Sequence, residues 1–341
     1  MTASGRKALT RVPRTSLAAL PTSATFRAAV FGIGVGVGSH VVAPSVLAAD
    51  GDFSLIGASV QKRANAVLSL IGYAVTPDVT TGSLSLSDAA ASNPGFRLTT
   101  LGGGFTWSRE LPLYLEGTAA YSRYDPVFVA SNGEDSRPLP VKWNTVTGTG
   151  GVGWDFALND EWKLRPIVNF SLGRVQSDAS LLGWFIENKT GLEIDFLQNG
   201  KLNAVGLGGS LMLDYERYTP EYEIDLELRY TSIHLRSTGG TSAAVQGSAT
   251  TRNTGLWSRW RAPTGLTMLD RPLRYVLEYS HSRYLADEAA VLGVDYLNAV
   301  GVGLELDSSG YPVWVTRTRL MFRYYFSPYT HGTSIGIAMS F

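Results

Sequence analysis

The last nine residues, Thr333-Ser-Ile-Gly-Ile-Ala-Met-Ser-Phe341, alternate without a break. Odd positions carry Thr333, Ile335, Ile337, Met339 and Phe341, and even positions carry Ser334, Gly336, Ala338 and Ser340. Successive side chains of a strand point to opposite faces, so one face is apolar and the other small or polar. The segment then stops on an aromatic ring. This is the pattern of the closing strand of a membrane β-barrel: apolar toward lipid, polar toward the lumen, aromatic at the water boundary. Ile337, Met339 and Phe341 are accordingly expected to be the assembly signal read by the barrel-assembly machinery.

The rest of the chain is consistent with that reading. Charged residues are 17% of the 341, while Gly (37) and Tyr (16) are abundant. A helical membrane protein needs apolar runs of roughly 18 residues or more, and none occurs after residue 50. The membrane signal lies in alternation, which averages to a mean hydropathy of only +0.02.

Arg6, Lys7, Arg11, Arg14 and Arg27 precede the apolar stretch Ala28–Val37, and small residues follow at Val46-Leu-Ala-Ala49. Residues 1–49 therefore read as an export signal cleaved before Asp50. The competing reading, a single membrane anchor, sits poorly with glycine at every second position from Gly32 to Gly38. Of the 29 Lys and Arg, five lie in this segment, leaving 24 against 29 Asp and Glu. Such a balance does not favour nucleic-acid binding by counterion release. Cysteine is absent, which excludes disulfides and Cys-based metal or nucleophile chemistry.

In residues 53–74 the period changes. Ile56, Val60, Ala64, Val67 and Ile71 fall at helical spacing opposite Gln61, Lys62 and Arg63. The spacing predicts a short amphipathic helix, inside the lumen or at the periplasmic mouth. A first strand near residues 75–77 is the alternative. Residues 50–77 are thus a helical plug or linker, and residues 78–341 a barrel.

Twelve strands are predicted near 78–88, 96–108, 112–125, 142–158, 161–175, 201–215, 220–236, 250–262, 271–285, 295–307, 313–327 and 331–341. The number is even, as single-chain barrels require. Val205, Leu207, Leu211, Leu213 and Tyr215 oppose Ala204, Gly206, Gly208, Ser210 and Met212. Tyr222, Ile224, Leu226, Leu228 and Tyr230 oppose Glu223, Asp225, Glu227 and Arg229. Trp314, Leu320, Phe322 and Tyr324 oppose Arg317, Arg319 and Arg323. The segments exceed the roughly 5–6 residues usual in soluble sheets and fit the 9–11 that cross a bilayer at a tilt. Short connections alternate with long ones (126–141, 176–200, 237–249, 286–294), as periplasmic turns alternate with surface loops. Residues 263–270 are a little long for a turn. Trp154, Phe156, Trp162, Tyr215, Tyr218, Tyr222, Tyr311, Trp314 and Phe341 would mark one membrane boundary. Tyr121, Tyr124, Phe128 and Trp143 would mark the other.

Charge is expensive on a lipid face, so Glu223, Asp225, Glu227, Arg229, Arg317, Arg319 and Arg323 are the candidate lumen-lining residues. They would pair across the lumen, pair with the N-terminal helix, or line a water path. The glycine clusters carry no Gly-Lys-Ser/Thr and sit in strands, so no phosphate loop is present. No metal or cofactor is expected. Three histidines follow the signal: His234, His281 and His331. Ser280 and Ser282 flank His281 directly and so fall on the opposite face, which defeats a Ser–His relay. His331 and Thr333 share a face but lack an orienting residue. Asp287, Glu288 and His281 could be imagined as a protease rim, but no motif supports it. Leu181, Leu182, Trp184, Phe185 and Ile186 in the 176–200 loop suggest a plug or a segment lying on lipid, not a disordered loop.

Thr76–Thr81, Gly102–Ser108, Pro112–Gly117, Tyr121–Pro126, Trp143–Thr145, Gly153–Phe156 and Arg165–Asn169 resemble the solitary autotransporter-type outer-membrane barrel family, whose members lack a passenger. The resemblance covers residues 65–190. It implies a twelve-strand barrel with an N-terminal segment in the pore, and transfers no catalytic residue. Only about 27 residues lie between the signal and the first barrel strand, so no passenger is expected. The chain is expected in the outer membrane, in contact with its lipid, as a plugged or narrow channel or envelope protein. The alternatives are an outer-membrane hydrolase or a surface-binding module.

Overall fold

The computed structural model describes residues 54–56, 68, 82–88, 96–125, 127–131, 136–178, 200–286, 289, 295–309, 315–328 and 330–340. Twelve antiparallel strands form the main sheet: β1 (Gly82–Asp88), β2 (Phe96–Thr106), β3 (Leu113–Tyr124), β4 (Lys142–Trp154), β5 (Trp162–Asp178), β6 (Lys201–Tyr218), β7 (Glu223–Ser237), β8 (Ser248–Met268), β9 (Arg271–Tyr284), β10 (Tyr296–Asp307), β11 (Arg317–Phe326) and β12 (Thr330–Ser340). Each pairs with its neighbours in sequence, and β12 returns to pair with β1 over Thr330↔Asp88 to Gly336↔Gly82. The sheet therefore closes on itself. Closure satisfies every ladder hydrogen bond within the protein, the condition for a sheet to exist in hydrocarbon.

The ladders also give the shear. Arg97, Arg123, Asn144, Gln176 and Lys201 form one row across β2–β6. To continue round the ring, the row steps toward the turn end by four residues on β6, six on β8, two on β10 and two on β1. It then returns to Arg97 through Ser85. Fourteen residues of stagger over twelve strands tilt the strands strongly.

Burial follows the alternation read from sequence. Leu172, Leu207, Val302, Leu320 and Ile335 are each more than half exposed on the outer surface. Ser171, Gly206, Gly301, Arg319 and Ser334, one residue away from each, are buried. Trp162 and Tyr215, whose rings lie 4.8 Å apart, mark the outer boundary near the short turns, with exposed Trp154 and Phe156, whereas Tyr218 has inward parity and turns its hydroxyl to Asp225. At the other boundary Tyr121 is exposed, but Tyr124 and Trp143 are buried and face inward, with ring centroids 6.0 Å apart. Those two are core residues and not belt residues, because their parity along β3 and β4 is that of the inward set.

Three local features depart from the sequence reading. β8 continues through Pro263 and Gly265 to Met268, with a register shift between Pro263 and Thr267. Gly265 takes φ 76°, which a bulge demands and glycine permits. The turn is then only Leu269 and Asp270, both with positive φ (53° and 60°). Second, the 125–141 connection is not irregular: Val127–Ser131 pairs with Ser136–Pro140. Third, Ser54–Ile56 adds to this hairpin as a strand, Ser54↔Ser131 to Ile56↔Val129. The helix expected over 53–74 therefore cannot begin there, because a period-2 partner is at hand for Ser-Leu-Ile. Leu68 is helical and fully buried. The remainder of the expected helix, the 179–199 loop, Trp314 and Phe341 lie outside the described residues.

Candidate functional site

The lumen is stratified. Toward the long loops its wall mixes apolar and small polar side chains: Trp143, Val175, Leu202, Ile233, Leu235 and Val245 are at most 1% exposed, and Ser122, Thr145, Ser177 and Thr251 are buried among them. Toward the short turns the same inward positions carry ionised side chains, and these form two webs.

The first web is centred on Glu116 of β3. Arg229 of β7 reaches it from the far side of the arc β4–β6 and binds it with both ends of its fork, Nη1 to Oε2 at 2.8 Å and Nη2 to Oε1 at 2.7 Å. Asn169 of β5 donates to the same carboxylate at 2.6 Å and accepts from Ser210 of β6 at 2.5 Å. Arg229 Nη2 also donates to the Ser210 hydroxyl and its Nε to Thr231. Three strands thus meet at one carboxylate, with Ser210 of β6 bracing both donors, and a planar bidentate pair is the strongest such contact. Gly151 of β4 makes the room: a Cβ there would lie 2.6 Å from Glu116 Cγ and 2.7 Å from Asn169 Nδ2. Nearer the turns, fully buried Arg165 binds Asp155 through Nε and Nη2 and lies 3.2 Å from Asp214 Oδ2. Its guanidinium stacks 3.9 Å from the Tyr114 ring centroid.

The second web spans β7–β11. Glu223 accepts from Arg317 (2.6 and 3.1 Å) and from Arg274. Asp225 accepts from Arg261 at 2.8 Å and from the Tyr218 hydroxyl at 2.7 Å. Glu305 accepts from Arg319 at 2.5 and 2.9 Å and lies 3.4 Å from Arg261. Glu278 is held between Arg259 (2.8 Å) and Arg323 (2.8 and 2.6 Å). Most of these groups are under 10% exposed. Buried charge at this density is tolerated only when each carboxylate is ringed by donors.

Of the sequence-derived residues, the structure places Glu223, Asp225, Glu227, Arg229, Arg319 and Arg323 inward and buried, and Arg317 inward and about a third exposed. Glu223 and Arg317 meet directly. Asp225 takes Arg261, and Arg229 turns away from the second web to Glu116. The sequence reading missed Glu116, Arg165, Arg259, Arg261, Arg274, Glu278 and Glu305 as partners. Their parity on β3, β5 and β8–β10 was the available signal.

On the outer face, His281 Nδ1 lies 2.9 Å from Asn298 Oδ1, with the Tyr296 ring 5.8 Å away. Ser280 and Ser282 point to the lumen side, as alternation requires. Ser258, on the neighbouring strand, donates to the Tyr279 carbonyl at 3.3 Å. Asp287 and Glu288 lie outside the described residues. Among the described residues no group of three or more His, Asp and Glu is placed to hold a metal ion. Among them, also, no helix is long and apolar enough to cross a membrane.

No protein-family model matches the chain, and no curated protein does. Among solved structures, it is similar to the β-domain of the Bordetella autotransporter BrkA: 10% identity, 77% of this chain and 99% of that one, TM-score 0.44. It is similar to the transport unit of the autotransporter AIDA-I from Escherichia coli at 10% identity, 82% and 99% coverage and TM-score 0.44. A third is the translocator domain of autotransporter NalP from Neisseria meningitidis, at 12% identity, 83% and 98% coverage and TM-score 0.40. At this level of superposition the likeness adds nothing to the architecture that the ladders establish. That architecture, a closed twelve-strand barrel with an apolar outer band and a charged interior, is an outer-membrane β-barrel.

Proposed function

We propose that this barrel is a non-enzymatic outer-membrane channel or envelope protein whose lumen is occupied at rest by its own N-terminal segment and its charged webs. The observation that carries this reading is the path of the chain. Ser54–Ile56 pairs with the hairpin Val127–Ser131/Ser136–Pro140, which belongs to the long-loop end. β1 begins at Gly82 at the opposite, short-turn end. Residues 57–81 therefore have to cover the barrel height. A strand of about 12 residues tilted at ~40° spans roughly 30 Å, and 25 residues of helix span about 37 Å. Leu68, midway, is helical and fully buried, which favours a route inside the ring. The Arg229–Glu116 chord closes part of the remaining cross-section.

Planar-bilayer recording tests this. The full-length protein is expected to conduct little, and deletion of residues 50–76 to raise its conductance severalfold. A wide, steady conductance from the intact chain, unchanged by the deletion, would remove the plug. A hydrolytic reading has one observation in its favour, the His281–Asn298 pair. Phospholipid turnover by the pure protein, abolished by His281→Ala, would favour it over the channel.

A further inference from the structure

The outer surface carries a second pattern, separate from the charged lumen. Near the long-loop end, the outward positions of six strands hold Arg97 (β2), Arg123 (β3), Arg174 (β5), Arg236 (β7), Arg252 (β8) and Arg283 (β9). All are exposed except Arg123, which is half-exposed. Lys142 and Lys201 stand slightly nearer the loops, also exposed. The shear shows that the six share a level. A level contour descends slightly more than one residue per strand along the paired rows. Arg97 and Arg123 share a row; Arg174 lies two rows below it, Arg236 four, Arg252 eight and Arg283 ten. Each stays within about two residues of the contour.

Of the acidic residues described near this level, Asp125 binds Arg123 Nε at 2.8 Å, Asp178 stands opposite Lys142 in the ladder, and Asp295 is exposed just before β10. Arg97, Arg174, Arg236 and Arg283 have no carboxylate partner among the described residues. The opposite rim is built otherwise, with outward charges of both signs: Arg217 lies 3.6 Å from Glu161, and Asp270 adjoins Arg271. Just inside the basic level come the apolar band and the rings of Tyr121, Tyr296 and Phe326. Guanidinium heads at a membrane boundary, four of them with no carboxylate partner among the described residues, face whatever anion the leaflet supplies.

We propose that this belt is a binding surface for phosphorylated, anionic lipid of the leaflet at the long-loop boundary. Each arginine fork would take phosphate oxygens in the bidentate geometry that guanidinium suits. Acyl chains would lie against the apolar band directly below.

The test uses the full-length protein in zwitterionic detergent micelles, titrated with diphosphoryl lipid A and followed by native mass spectrometry. Tight retention of the diphosphorylated lipid is expected, with about tenfold weaker retention of its dephosphorylated form. The variant Arg97→Gln/Arg174→Gln/Arg236→Gln/Arg283→Gln should lose about tenfold, while Arg217→Gln/Arg271→Gln at the other rim should bind as the unaltered chain. Heat-modifiable migration on a gel checks that each variant is folded. Should the quadruple variant not fold, the salt dependence of the unaltered protein decides, since exposed ion pairs weaken as salt rises from about 0.05 to 0.5 M. Equal binding of the dephosphorylated lipid, or insensitivity to both the substitutions and salt, would overturn the proposal. So would displacement by millimolar inorganic phosphate, which would mark a site for a soluble anion.

Discussion

At the residue scale, stability hinges on inward charges that cannot be removed singly. Arg229→Ala would strip Glu116, 9% exposed, of its bidentate cation and leave Asn169 and Tyr114 as side-chain donors. The expected loss is about 3–5 kcal/mol, because a stranded buried carboxylate is far worse than none. The double variant Arg229→Leu/Glu116→Leu should recover much of it, and urea unfolding monitored by heat-modifiable migration measures both. Gly151→Ala is a sterically milder probe of the same place. Its Cβ would press on Glu116 and Asn169, with an expected loss of about 1–3 kcal/mol. Inward parity made Glu223, Asp225, Glu227 and Arg229 legible in sequence, because apolar residues alternate with them without a gap. The partner of each was not legible. Pairing depends on shear, and shear is a property of the closed ring that no single strand records. Arg229 therefore finds Glu116, 113 residues away, and not the basic strand that sequence alone suggested.

At the element scale, strand identity was readable because each strand is long enough for period 2 to stand out. Boundaries failed where the backbone departs from that period. β8 is the instructive case: Pro263 and Gly265 read as the start of a connection, yet the strand bulges and resumes. The true turn, Leu269-Asp270, uses left-handed conformations that Asp tolerates and Leu does not favour. Replacing the pair with Asn-Gly should stabilise the barrel by about 1 kcal/mol, read as a shift in unfolding midpoint. The lipid face yields a complementary prediction. Val302→Arg, at a strongly exposed outward site of β10, should hinder folding into phosphatidylcholine vesicles by about 2–4 kcal/mol. Trp143 shows where aromatic content misleads: a ring near a membrane boundary by sequence is a core ring when its parity is inward.

At the scale of the whole molecule, the ring depends on its narrowest ladders. β1 is seven residues long and pairs with β2 over only Ser83↔Thr99 to Leu86↔Phe96. Its other edge holds β12 through seven pairs that include Ser85↔Thr333. The chain contains no cysteine, so Ser85→Cys/Thr333→Cys is a clean test of closure. Oxidation should crosslink the folded protein within one chain and leave its migration compact, whereas failure to crosslink would mean that the two strands are not neighbours. The outer-membrane architecture was legible from alternation, loop lengths and the final aromatic. The docking of Ser54–Ile56 was not, because nothing in Ser-Leu-Ile announces a partner in the 127–140 hairpin.

The pairing of β1 with β12 has a kinetic consequence. The strand that leaves the ribosome first waits for the one that leaves last, with some 240 residues of chain between Asp88 and Thr330. Contacts so distant in sequence form late, and until they do both edges stand open to other chains. Maturation should therefore be slow, ordered and dependent on a factor that shields the two waiting edges.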